Sequence, residues 1–414
     1  MILEFSVKNF RSIREQVKVS LSASDESGHT SNLVDLPDDL GSVLKTAIIY
    51  GANASGKSNV LKAMAFVYEL ITRSHLIQSG DKIEVTPFRL DGKSEQEPSE
   101  FEVYFLVNST EHCYGLSVTQ ERVLEEYLYA YPSGQETMIF ERKDSNTYTF
   151  GEDVEKQKTI AEMTLDNKLY LSNATQFNYK PIKDVHDYFK NKVVIATDIE
   201  AMKWDTYTKT KLHEDTAAID LARELLRNAD TGIDDISITR RAKRVLVSGD
   251  DGKAPYFRTV NRPEVNSYHK YLDDQGVEQR VQFSLTDESK GTQRMFELLG
   301  PLIDALREGK VLVIDELESS LHPLLTEQLI QLFHNPEINT LGAQLVFTTH
   351  NTNLLNELLF RRDQVWFTEK DSKTGATSLY SLVDFKPRNN EDIEKGYLIG
   401  RYGAIPFFKG GSLL

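Results

Sequence analysis

The feature that most constrains this chain is a short run near its start. The β-branched segment Lys45-Thr46-Ala47-Ile48-Ile49-Tyr50 leads into Gly51-Ala52-Asn53-Ala54-Ser55-Gly56-Lys57-Ser58, and beyond Asn59 the apolar residues Val60, Leu61, Met64, Val67, Tyr68 and Ile71 recur at three and four positions. That periodicity predicts a helix after the glycines, and the run before them predicts a buried strand. Strand, glycine loop and helix follow in the order a phosphate loop needs. Gly51 and Gly56 let backbone N–H groups close on phosphate oxygens, with Asn53, Ala54 and Ser55 forming the turn and Asn59 following it. The helix start adds its dipole, Lys57 reaches the β- and γ-phosphates, and Ser58 supplies an oxygen to Mg²⁺.

Three further elements lie near the other end. In "KVLVIDELESSLHP", apolar Val311–Ile314 predict a buried strand that ends in two carboxylates. Asp315 is suited to holding Mg²⁺ and Glu316 to polarising an attacking water; the bland alternative is a solvated acidic turn. His350 ends the strand-like "AQLVFTTH". A neutral imidazole there can accept from water or donate to a γ-phosphate, although a lone histidine is more often packed or at the surface. In "DESKGTQRMFELLG", Ser289, Lys290, Gly291 and Thr292 open a helix. Hydroxyl, glycine N–H and helix start make a second anion site, or Ser289 simply caps the helix. One chain rarely needs two γ-phosphate sites, so the functional reading implies a dimer in which each helix completes the partner's site.

Between these ends, "IEVTPFRL", "SEFEVYFLVN", "YGLSVTQ", "TMIFERK" and "TYTFG" read as strands. From about 155 to 230 the pattern is helical, in "KTIAEMTLDNKLYL", "KDVHDYF" and "TAAIDLARELLRNA". Strand-like pieces return to about 285, with a hairpin turn expected at Asp250-Asp251-Gly252. From 289 helices and short strands alternate ("GTQRMFELLGPLIDAL", "KVLVID", "HPLLTEQLIQLFH", "AQLVFTTH", "NLLNELLF"), which implies a parallel sheet with crossover helices. The expected organisation is a β-rich part over 1–150, a helical insertion over 151–235 and a C-terminal part over 236–414.

With a net charge of −15, generic coating of nucleic acid is disfavoured. The run Thr239-Arg240-Arg241-Ala242-Lys243-Arg244 leaves two readings open, a solvated loop or strand edge and a nucleic-acid or partner contact. No run of eighteen apolar residues and no secretion signal is found, so a cytoplasmic location without membrane contact is expected. The single cysteine, Cys113, reads as a buried structural thiol.

The order of these motifs resembles an ABC-type ATPase head of the SMC, RecF and OLD branch, an α/β P-loop NTPase with a β-rich N-terminal lobe and a helical insertion. The resemblance makes Gly51–Ser58 the Walker A loop, Ser289–Thr292 the signature, Asp315 and Glu316 the Walker B pair, Ser320–His322 the D-loop and His350 the switch histidine. It also places Asn9, Phe10 and Arg11, in "FSVKNFRSI", near the nucleotide base. Within the branch, "DESKGTQR", "IDELESSLHP" and "GRYGAIPFF" look most like the RloA and AriA type of ATPases in bacterial defence loci. Lys290 and Thr292 depart from the glycine and glutamine of many signatures, and Gln78 and Gln96 are weak candidates for the Q-loop glutamine. OLD nucleases carry a TOPRIM domain after the switch histidine, and the 64 residues after His350 are too few for one.

The resemblance implies a Mg²⁺-dependent ATPase that forms a homodimer or higher oligomer through an ATP sandwich. Its expected function is a switch that senses phage infection and controls a separately encoded effector, such as a nuclease or toxin. The alternative is a RecF-like repair ATPase that binds DNA directly.

Overall fold

The computed structural model describes residues 1–37, 40–197, 204–229, 231–247, 256–356, 358–388 and 391–405. The expected turn at Asp250–Gly252 and the end of "GRYGAIPFF" lie outside the described residues. The chain divides into two compact units, one of residues 1–197, 305–318 and 326–414, the other of 198–304 and 319–325.

The first unit holds two large sheets. An antiparallel sheet joins β1 (Ile2–Lys8) and β2 (Val17–Ser20) to β6 (Ser99–Val107), β7 (Thr110–Val118), β8 (Val123–Tyr131), β9 (Thr137–Lys143) and β10 (Thr147–Phe150), in the order β10-β9-β8-β7-β6-β1-β2. A small ladder of β3 (Leu33–Asp35) and β4 (Ser42–Leu44) precedes the glycine-loop strand β5 (Thr46–Gly51). The second large sheet has the order β11-β15-β16-β5-β17-β18, with β11 (Val193–Ala196), β15 (Val311–Ile314), β16 (Gln344–Thr348), β17 (Val365–Lys370) and β18 (Thr377–Ser381). Its strands β11, β15, β16, β5 and β17 run parallel, and β18 is antiparallel to β17.

Alternation along the first sheet puts Phe5, Val7, Phe101, Val103, Phe105, Tyr114 and Leu128 into the core. They pack with residues of α1 (Lys57–Arg73), α3 (Tyr170–Gln176) and α4 (Lys180–Lys192); the Phe105 ring stacks on Tyr188 at 5.5 Å and meets Phe189 edge-on at 5.0 Å. The remaining helices of this unit are α2 (Val154–Glu162), α8 (Pro323–His334) and α9 (Ile393–Leu398). The second unit has α5 (Trp204–Glu214), α6 (Thr216–Asn228), the antiparallel sheet β12 (Asp235–Val247), β13 (Tyr256–Leu272) and β14 (Glu278–Ser284), and most of α7 (Lys290–Glu308).

Three sequence expectations are corrected. "IEVTPFRL" is irregular rather than a strand. Pro87 lacks a donor, and neighbouring backbone groups go to partners outside any ladder: Phe88 N donates to Asn9 Oδ1 at 2.9 Å and Arg11 N to Thr86 O at 2.8 Å. "KTIAEMTLDNKLYL" is broken between α2 and α3. The buried carboxylate of Glu126 on β8 accepts from Tyr170 N at 2.6 Å and Leu171 N at 2.9 Å, starting a new helix there. "NLLNELLF" gives a 3₁₀ turn at Thr352–Leu354 and further turns. Asn351 and Asn356 side chains accept from Asn353 N at 3.1 Å and Leu358 N at 2.9 Å, competing with helix. Cys113 is buried on β7, and burial pushes its thiol up to about 12.

Candidate functional site

The parallel sheet aligns the chemistry at one edge. The glycine-loop strand β5 lies between β16 and β17, and β16 separates it from β15. Gly51, Asp315 and Thr349-His350 therefore follow the carboxyl ends of three parallel strands, where ligands bind in open α/β sheets.

The loop itself has no slack. Gly51 and Gly56 have φ of +155° and +113°, and a Cβ would lie 2.4 Å from Thr368 Oγ1 at Gly51 and 2.3 Å from Thr377 Oγ1 at Gly56. These threonines clamp the turn. Asn59 Nδ2 donates to Ser12 Oγ at 2.7 Å, which lies 2.8 Å from Thr377 Oγ1, and that hydroxyl donates to Ser55 O at 2.8 Å. Ser55 Oγ lies 2.6 Å from Thr368 Oγ1, which donates to Tyr50 O at 3.2 Å. Backbone geometry is thus held by hydroxyls from the N-terminal segment, β17 and β18.

Lys57 and Ser58 open α1. The Lys57 ammonium donates to Gly51 O at 2.8 Å and Ala52 O at 3.2 Å. Burial lowers its pKa, opposed by the charges of Asp315, Glu316 and Glu318. A cavity of about 790 Å³ is lined by Gly51–Ser55, His350, Thr368, Lys370 and Tyr397 among others. Its size lies within the range of small-molecule sites. Gln78 and Gln96 are exposed and outside this lining.

On the acidic side, buried Thr348 holds the Asp315 carboxylate and the backbone of Glu316. Its Oγ1 donates to Asp315 Oδ1 at 2.6 Å and accepts from Glu316 N at 2.8 Å. Glu316 has a left-handed φ of +50°, which costs about 1–2 kcal/mol in an L-residue. His350 Nε2 lies 3.8 Å from Glu316 Oε1, and His350 N donates to Glu318 Oε1 at 2.5 Å. The other oxygen of Glu318 is buried with no hydrogen-bond partner among the described residues. Burial, then the Lys57 charge, lowers the His350 pKa against the opposing carboxylates, favouring the neutral ring.

The structure thus brings together Gly51–Asn59, Asp315, Glu316 and His350 within the first unit. Ser12, Thr348, Thr368, Thr377 and Glu318 belong to the same arrangement and were missed, since a lone hydroxyl or carboxylate carries no sequence sign of its distant partner. Asn9 is spent on packing: its Nδ2 donates to Ser94 O at 2.7 Å, Glu97 O at 2.9 Å and Pro98 O at 3.0 Å. Phe10 is buried and Arg11 is exposed.

Within the second unit, Ser289 Oγ accepts from Thr292 N at 3.1 Å and lies 2.9 Å from Thr292 Oγ1, so it caps α7. Ser289 and Lys290 are exposed, Thr292 is buried, and a Cβ on Gly291 would lie 2.9 Å from Ser320 O.

The profile of a family described as "AAA domain, putative AbiEii toxin, Type IV TA system" matches residues 47–356. No curated protein matches the chain. Among solved structures it is similar to an SMC head bound to the C-terminal winged-helix domain of ScpA, at 15% identity and a TM-score of 0.40, covering 93% of this chain and 99% of that one. The SMC head domain from Thermotoga maritima gives 14% identity, a TM-score of 0.40 and coverage of 92% and 98%. An SMC head with an extended coiled coil, bound to the C-terminal domain of ScpA derived from Pyrococcus furiosus, gives 13%, 0.40, and 97% and 98%.

Proposed function

The chain belongs to this AAA-domain family and has the α/β fold of a P-loop NTPase, and from that premise we propose that it is an ATP-hydrolysing dimeric switch of the ABC-ATPase head type in an anti-phage defence system, of the RloA and AriA type, acting on a separately encoded effector such as a nuclease. The observation that carries the reading is the convergence of Lys57, at the start of α1, with Asp315, Glu316 and His350 beyond the ends of adjacent parallel strands.

In this reading Gly51–Ser55 wrap the phosphates and Lys57 exchanges its bonds to Gly51 O and Ala52 O for phosphate oxygens. Ser58 and Asp315, an all-oxygen donor pair, fit Mg²⁺, which usually keeps waters and substrate phosphates as its other ligands. When bound it supplies charge neutralisation to the phosphates. Glu316 accepts the proton of the attacking water, and neutral His350 donates toward the γ-phosphate. Ser289, Lys290 and Gly291 of a second copy complete the site, and hydrolysis releases them. The family description names an AbiEii-type toxin, which supports an abortive-infection setting.

The test is a pair of variants assayed for ATP binding, turnover and mass in solution. Lys57→Ala should lose nucleotide binding, and Glu316→Gln should bind ATP, cease turnover and accumulate as a dimer. Wild-type turnover by Glu316→Gln would remove the catalytic assignment. Effector release on infection is checked by recovering tagged Glu316→Gln protein before and after phage challenge; a nuclease-like protein held equally in both states would refute the switch.

A further inference from the structure

The basic run Arg240–Arg244 is one strand of a charged ribbon that the sequence showed only in half. In the ladder of β12 with β13, Arg241 stands directly opposite Arg262, Val245 opposite Arg258 and Arg244 opposite Thr259. Over Thr239–Val247 and Tyr256–Glu264 the sequence has six cations, Arg240, Arg241, Lys243, Arg244, Arg258 and Arg262, against one carboxylate, Glu264. The connector adds Asp250, Asp251 and Lys253, which lie outside the described residues. This concentration stands in a chain of net charge −15.

Self-neutralisation is slight. Arg240 approaches Glu214 at 3.7 Å and Arg241 approaches Glu264 at 3.5 Å, with the two arginine side chains 56% and 77% exposed. Arg244, Arg258 and Arg262 are exposed and form no ion pair among the described residues. Like charges placed opposite each other across a ladder destabilise it, as Arg241 and Arg262 do here. The proximal part of the ribbon is anchored, since Ile236, Val265 and Ser267 are buried. Farther along, residues 239–242, 244 and 257–259 are exposed, so among these residues no apolar face explains the extension. A two-stranded hairpin without such a face is marginal by itself in water.

We propose that this ribbon is a docking element for duplex DNA. Guanidiniums on both faces and both strands suit the two phosphate backbones that flank a groove, and the B-DNA major groove admits a two-stranded β-ribbon whereas the narrow A-form major groove does not. At about 3.3 Å per residue, Arg258 and Arg262, four apart and both on the face of Arg241, form a row of donors spaced by about 13 Å. The ribbon belongs to the second unit and the glycine loop to the first, and its test is made without nucleotide.

The test is fluorescence anisotropy with a labelled mixed-sequence DNA duplex over a salt series. The full chain is compared with Arg244→Gln/Arg258→Gln/Arg262→Gln, with the corresponding triple lysine variant, and with Lys57→Ala. The wild type and Lys57→Ala should bind alike. The glutamine variant should lose at least tenfold in affinity at low salt, and its log–log salt slope should be shallower by about 3. The lysine variant should keep most of the slope, which separates loss of charge from loss of folding. The matching RNA duplex should bind more weakly. No DNA binding by the wild type, an unchanged slope in the glutamine variant, loss of binding in the lysine variant, or equal binding of RNA would each overturn the proposal. So would displacement of DNA by an equal charge of polyglutamate, which would assign the ribbon to an acidic protein.

Discussion

Thr348→Val isolates the residue that holds the Asp315 carboxylate and the Glu316 backbone. Valine keeps the size and branching of the buried strand position but removes the hydroxyl that bonds Asp315 and Glu316. A hydrogen bond to a charged group contributes about 1.5–3 kcal/mol and a neutral one about 0.5–1.5 kcal/mol, so the gross loss is about 2–4 kcal/mol. That exceeds the strain of about 1–2 kcal/mol in a left-handed L-residue, so the hydroxyl can hold Glu316 at its φ of +50°. Without it the turn relaxes and recovers part of the strain, leaving a net loss of about 1–3 kcal/mol. Urea unfolding followed through Trp366 on β17, in a Trp204→Phe background, reads the first unit, since these are the two tryptophans. Turnover should fall about a hundredfold, the typical effect of a misplaced catalytic group, while Thr348→Ser stays near wild type in both assays. Unfolding of Thr348→Val within about 0.5 kcal/mol of wild type, or equal damage from Thr348→Ser, would refute the reasoning.

Gly56→Ala should destabilise by about 2–5 kcal/mol, combining backbone strain with overpacking, because the new methyl would lie 2.3 Å from Thr377 Oγ1. Adding Thr377→Ala should restore only the steric part in the same unfolding assay, and full restoration would show that the positive φ is not limiting. His334 supplies a pH test: burial, with Lys45 and His29 adding to it, pushes its pKa down to about 3, and its Nε2 lies 2.9 Å from Thr46 Oγ1. The folded chain therefore favours the neutral ring, whereas the unfolded chain protonates near pH 6.5. Stability from this group is complete above pH 6.5 and declines as pH falls toward 3, by about 4–5 kcal/mol in all. His334→Gln should flatten the unfolding free energy between those limits, and an unchanged acid slope would assign the loss to other groups.

What could be read from the sequence follows from how local each signal is. Gly51–Ser58 declares itself because strand, loop and helix are contiguous, and Val311–Glu316 because an apolar strand ends in charge. The edge strand β18 and its neighbour β17 were passed over, although they carry the clamps Thr377 and Thr368. Strand β8 was missed because Glu125-Glu126 interrupts its apolar pattern. In the fold Glu126 is fully buried, 3.7 Å from equally buried Arg142, with Tyr114 Oη donating to it at 3.0 Å. A carboxylate in a core is costly without partners, and here they come from β7, β9 and α3, which no local window contains. "IEVTPFRL" failed for the converse reason: it has strand composition, yet its backbone partners are side chains and loops.

The distribution of burial within the site bears on how such a switch can work. Ser55 and Lys57 are buried, as are Thr348, Thr368 and Thr377, so the phosphate cradle is a fixed part of the core. Glu316 and His350 instead have side chains 55% and 38% exposed. Charges facing bulk water interact weakly, and their effect grows when water is excluded. On the proposed mechanism the cradle is therefore formed before the groups assigned to the γ-phosphate would be enclosed. Enclosure by a second copy would strengthen those groups only while the triphosphate joins the two surfaces, so the same step that permits hydrolysis also removes the link. In the proposed mechanism that coupling would make assembly and release the output of the site, with water as the acceptor.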